Sequence, residues 1–166
     1  FISYSQDSLS FSDKVLDFSN RLRSEGIDAI LDQYEEAPPE GWPRWMENSI
    51  KKADYVIIIG SQGYYQKTNG GGQSGKGLGV KWEGNIIYQM LYMADSTNKK
   101  FIPAVFNGDD VKYIPTPLQG ITYYNISSKT DFDRLYWRLR GVSTKEKPPL
   151  GKLRPLPAKE RKTLFF

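Results

Sequence analysis

Residues 55–61, Tyr-Val-Ile-Ile-Ile-Gly-Ser, restrict the fold more than any other stretch of the chain. Successive side chains on a strand point to opposite faces, so a strand with one wet face alternates apolar and polar residues. This run does not alternate, and both of its faces must therefore be covered by protein. Sheets covered on both faces are built from parallel strands, and parallel neighbours need a crossover of a dozen or more residues, usually a helix. The run predicts the central strand of a parallel sheet with helices above and below it.

The rest of the chain supplies matching elements. Phe1–Ser5 reads as a strand whose polar exit at Tyr4 and Ser5 is expected to meet solvent or a ligand. From 7 to 25, Phe11, Val15, Phe18 and Leu22 recur at helical spacing, with Gly26 as the stop. A second strand is expected at 27–32, and Pro38, Pro39 and Gly41 then break the chain. A second helix over 43–53 has Pro43 in its first turn and Trp42, Trp45, Met46 and Ile50 on one side. After the central strand come a helix over 80–93, a strand over 100–106, a strand over 121–126 and a helix over 131–140. That last helix is expected to be capped by Thr130 or Asp131 and closed by Gly141. Pro115 and Pro117 argue against a regular helix between Asn107 and Gly120. The expected fold is α/β and flavodoxin-like, a five-stranded parallel sheet of order 2-1-3-4-5 with helices on both faces. Its chain reversal lies between strands 1 and 3, where ligands bind outside the carboxyl ends of the strands.

The chain has no Cys and no His, which removes thiolate nucleophiles, imidazole bases, disulfides and Cys/His metal sites. No metal site and no resident cofactor are expected. With 166 residues, 39% of them hydrophobic, the chain can bury one core, expected over 1–141. The start at Phe-Ile-Ser-Tyr-Ser, without Met or a leader, fits a piece of a longer cytoplasmic protein, and no apolar run is long enough for a membrane. Charge is unevenly placed. Residues 143–166 carry seven basic and two acidic side chains, +5, whereas the other 142 residues carry 16 and 17, −1. The folded part is thus not expected to bind nucleic acid, and 142–166 reads as a basic linker or tail. Within it Arg154-Pro155-Leu156-Pro157 resembles a proline-rich ligand core but lacks the P-x-x-P register.

Residues 68–84, TNGGGQSGKGLGVKWEG, resemble a phosphate cradle, but Gly77 stands where G-x-x-x-x-G-K-[ST] needs a hydroxyl. The loop is either a lid or a backbone contact for a pyrophosphate, to which Lys76 would add charge. Behind it, Glu83 shares a stripe with Ile86, Ile87, Met90 and Ala94 at +3, +4, +7 and +11. It is either a catalytic carboxylate or an acid in a first helical turn. Glu35, Glu36 and Pro38 make a stiff acidic loop, and Arg44, Lys51 and Lys52 on the next helix carry the opposite charge beside Trp42. Such surfaces allow one copy's loop to meet another's helix.

FISYS, the Pro-Gly loop, W-x-x-W at Trp42–Trp45, Ala53-Asp54-Tyr55-Val56, Ser61-x-x-Tyr64 and Trp82-Glu83-Gly84 together resemble the SEFIR branch of the Toll/interleukin receptor (TIR) superfamily, bacterial type, over residues 1–141. In place of that superfamily's Phe-Trp box the chain has Tyr136-Trp137. The resemblance implies a flavodoxin-like signalling module that associates with itself and with other SEFIR/TIR domains, hence a homo-oligomer. It also implies an alternative, because some TIR relatives cleave NAD at the nicotinamide bond with a glutamate at the position of Glu83. NAD would then be substrate, with Tyr4, Ser5, Lys76 and Trp82 around it.

Overall fold

The four strands β1 (Ile2–Ser3), β2 (Val56–Ile59), β3 (Phe101–Val105) and β4 (Tyr124–Asn125) run parallel in the order β1-β2-β3-β4. The computed structural model describes residues 1–69, 87 and 98–158. β2 is the apolar run, fully buried and flanked on both edges, as its composition requires.

Helices cover both faces. α1 (Leu9–Ser24) and α4 (Lys129–Leu139) pack on the face formed by Ile2, Tyr4, Ile57, Ile59, Ile102 and Ala104, through Val15, Phe18, Leu22, Phe132 and Leu135. α2 (Trp42–Lys52) and α3 (Gln62–Thr68) cover the face of Val56, Ile58, Phe101 and Val105, through Trp45, Ile50 and Tyr64. Alternate residues of each strand thus belong to different clusters, the two-sided core expected of an all-apolar strand. Ile87, helical and buried, belongs to the second cluster; the rest of the helix expected over 80–93 lies outside the described residues.

The ends of the elements follow local chemistry. Ser8 caps α1 by accepting the Phe11 amide at 3.1 Å, and Gly26 leaves it with φ of 89°, a conformation in which only glycine avoids strain. Ser128, rather than Thr130 or Asp131, caps α4; Asp131 instead accepts the Asn125 amide at 3.0 Å, which ties β4 to the helix that follows it. Gly141 closes α4 with φ of 67°. Between Asn107 and Gly120 the chain makes two 3-10 helices, Gly108–Tyr113 and Thr116–Leu118, and no α-helix, as the prolines require.

Two expectations about the sheet are corrected. The second expected strand does not form, so the described sheet has four strands rather than five and the order 2-1-3-4-5 is not realised. Residues 27–31 run past the outer edge of β1 but contribute one bond to it, from the Ile2 amide to the Ile30 carbonyl at 3.0 Å. The neighbouring Ala29 carbonyl is taken by the Arg23 guanidinium at 2.8 Å. The last strand is two residues long instead of six. The Val105 carbonyl accepts the Ile126 amide, so β3 turns residues 101, 103 and 105 toward β4. Pro103 has no N–H to give there, and the ladder begins only at Tyr124 opposite Ala104.

Candidate functional site

β1 delivers Ser3, Tyr4 and Ser5 to the carboxyl end of the sheet, and β2 delivers Ser61 beside them. Ser61 accepts the Tyr64 amide at 3.2 Å and so starts α3, a helix not foreseen from the sequence. α3 lies against the exit of β1 through three contacts. The Ser3 and Tyr64 hydroxyls are 2.8 Å apart and buried. The Lys67 ammonium donates to the fully buried Ser5 hydroxyl at 2.8 Å. Asp7 accepts the Gly63 amide at 3.1 Å. A side chain at Gly63 would lie 2.6 Å from the Asp7 carboxyl carbon and would displace that carboxylate from the Gly63 amide.

Tyr4 and Ser5 therefore do not face solvent. Tyr4 is 5% exposed and Ser5 is covered completely, because α3 and the 3-10 turn Asp32–Tyr34 close over the strand end. The Gln33 amide donates both to the Tyr4 hydroxyl and to the Ser12 carbonyl, each at 2.9 Å, and Gln6 reaches Asp32 at 3.3 Å. Burial, and next the charge of Asp32 beside it, push the Tyr4 hydroxyl well above the ordinary tyrosine value of 10.0. A proton held more tightly in the fold stabilises it below the unfolded value, and that contribution is lost as pH rises above about 10. Tyr4→Phe should flatten the decline of melting temperature between about pH 9 and 11, whatever its effect at neutral pH. A decline as steep as the parent's would show that Tyr4 ionises freely in the fold.

Lys76, Trp82 and Glu83 lie outside the described residues. Of the residues that the sequence assigned to a crevice, the structure thus describes Tyr4 and Ser5, and it adds Asp7, Tyr64 and Lys67. Ser61 as a cap was the available signal for these three, since it requires a helix directly after the central strand.

The second candidate surface lies on α2 and the loop before it. Glu35 and Glu36 are exposed. Pro38 is buried, so it shapes the loop and presents no contact surface; its carbonyl accepts the Gly41 amide at 2.9 Å. Gly41, with φ of 81°, then turns the chain into α2. Trp42 is 39% exposed and stands edge-on to buried Trp45 at 5.6 Å. Only one of the two tryptophans is free for a partner. Lys51 is held by Glu47 at 2.6 Å within the helix, a contact that keeps the Glu47 carboxyl below its ordinary range, first by hydrogen bonding and then by charge. Arg44 and Lys52 are exposed and have no ion pair among the described residues.

The family model of the SEFIR domain matches residues 1–139. Among solved structures, the chain is similar to one described as the crystal structure of a prokaryotic SEFIR domain, with 29% identity and a TM-score of 0.60. That match covers 92% of this chain and 97% of the other. No curated protein matches the chain.

Proposed function

Because the chain belongs to the SEFIR domain family, we propose that it is a signalling module that assembles with copies of itself through α2 and the acidic loop before it. The observation that carries this reading is the opposition of exposed charges, Glu35 and Glu36 on the loop against Arg44 and Lys52 on the helix, beside half-exposed Trp42. A patch that carries both signs at separate points cannot neutralise itself, but it can meet a second copy head to tail, and exposed Trp is enriched at such centres. Such contacts are screened by salt, so assembly should weaken as ionic strength rises. Reversing Glu35 and Glu36 to Lys should weaken association, followed by light scattering across concentration, by roughly tenfold. Adding Arg44→Glu and Lys52→Glu to that variant should restore part of the loss. Association indifferent to the first reversal would rule out this contact.

A second reading, hydrolysis of NAD at the nicotinamide bond with Glu83, is supported by the polar end of the sheet. Lys67 is held there by Ser5, and among the described residues no carboxylate pairs with it. A cation so placed suits an anionic substrate at the carboxyl ends of parallel strands. Self-association and hydrolysis are compatible, since assembly can complete a site.

A further inference from the structure

Residues 143–158 are exposed throughout, and their apolar residues follow a pattern. Leu150, Leu153 and Leu156 are 98%, 93% and 93% exposed and recur at every third position. Pro148, Pro149, Pro155 and Pro157 favour polyproline II geometry, which has three residues per turn. At that period the leucines share one edge, about 9 Å apart along the axis, with Arg154 on one flank of that edge and Lys152 on the other.

The charge of the same stretch is one-sided. Residues 138–158 hold six basic side chains, Arg138, Arg140, Lys145, Lys147, Lys152 and Arg154, and one acidic, Glu146, whereas residues 1–137 hold 14 basic and 17 acidic, net −3. None of the six has an ion-pair partner among the described residues. At the last turn of α4 the Arg140 guanidinium stands 5.5 Å over the ring of Trp137, itself 36% exposed, and Val142 beside it is 47% exposed. Apolar surface and unpaired cations thus occur together from the end of α4 along the tail.

A partner for this stretch must be anionic, must extend over roughly 19 Å to meet all three leucines, and must offer an apolar layer beside its charges. The face of an anionic bilayer has all three properties, with phosphates and carboxylates outermost and acyl chains directly beneath. Nucleic acid supplies the charge without the apolar layer, and single strands are held by stacking on aromatic rings, of which residues 143–158 have none. With the leucine edge toward the bilayer, the long stems of Lys152 and Arg154 reach headgroup phosphates on either side. The net negative charge of the rest of the chain is repelled by the same surface.

We propose that residues 137–158 bind the surface of an anionic membrane, with Leu150, Leu153 and Leu156 at the boundary of headgroups and acyl chains and the flanking cations on lipid phosphates. The segment lies on the bilayer and does not span it. This contact uses neither the α2 surface nor the exit of β1.

The test is flotation of the full chain with vesicles of equal parts phosphatidylcholine and phosphatidylserine, beside vesicles of phosphatidylcholine alone. Binding to the mixed vesicles and not to the neutral ones is expected, weakening with salt. One cation near such a surface strengthens binding by roughly fivefold, so Lys145→Gln, Lys147→Gln, Lys152→Gln and Arg154→Gln together should weaken it by about a hundredfold or more. Leu150→Ser, Leu153→Ser and Leu156→Ser together, which leave the charge unchanged, should weaken it by roughly tenfold. Both variants change exposed residues only, and each should keep the parent's melting temperature. No binding to the mixed vesicles, equal binding to the neutral ones, or binding indifferent to the leucine changes would each overturn the proposal. Tighter binding to a single-stranded oligonucleotide than to the mixed vesicles would also overturn it and assign the segment to nucleic acid.

Discussion

Phe132→Ala is expected to lower the stability of the domain by about 3–5 kcal/mol, the largest loss from a single truncation on this face of the sheet. Phe132 is 1% exposed, meets Phe18 edge to face at 6.1 Å, and carries the Arg21 guanidinium 3.5 Å over its ring. The ring thus joins α4 to α1 across the first core cluster, and its removal opens a cavity lined by helices held apart by their own sheet contacts. Against a total of about 5–15 kcal/mol, such a loss should lower the melting temperature by roughly 10 °C. Phe132→Leu, which keeps most of the volume, should cost far less. A loss under about 1 kcal/mol for the alanine variant would mean that α4 is not packed on α1 as described.

On the hydrolytic reading, Glu83→Gln should lower nicotinamide release from NAD by at least about a hundredfold, with an unchanged melting temperature. When the bond between ribose C1′ and the nicotinamide nitrogen breaks, its electron pair leaves with the ring, which becomes neutral and needs no proton donor. The ribose is left oxocarbenium-like. Water adds to C1′ and gives up a proton to solvent. A carboxylate at the ribose stabilises the developing cation, and a neutral amide of the same shape does not. A chain with no His is therefore not excluded from this chemistry. Release from the parent chain, measured at concentrations where it assembles, and retained in full by the Glu83→Gln variant, would remove Glu83 from the reaction. Lys67→Met would separately report on anion binding, raising KM more than it lowers kcat.

The central strand was legible because five successive apolar residues have one solution, burial on both faces, and α1 was legible from the 3.6-residue period of Val15, Phe18 and Leu22. Gly26 and Gly141 marked helix ends because only glycine holds their φ without strain. The surface was less legible. Two tryptophans at helical spacing look alike in a sequence, and packing alone separates buried Trp45 from half-exposed Trp42. Lys51 looks as free as Lys52 until its helix neighbour Glu47 is found 2.6 Å away.

Local pattern thus determined which segments become strands and helices, since periodicity and caps act over a few residues. What neighbours supply was decided by the tertiary structure alone. Residues 27–31 have the composition of a strand, but a strand is made by its ladder, and a single bond to β1 leaves it without one. Pro103 shortens β4 through a hydrogen bond missing in the strand beside it. Tyr4 and Ser5 have polar groups that would suit an open crevice. They are closed in because Lys67 of α3, the helix started by Ser61, satisfies the Ser5 hydroxyl and Gln33 of the 3-10 turn satisfies that of Tyr4, so neither needs water.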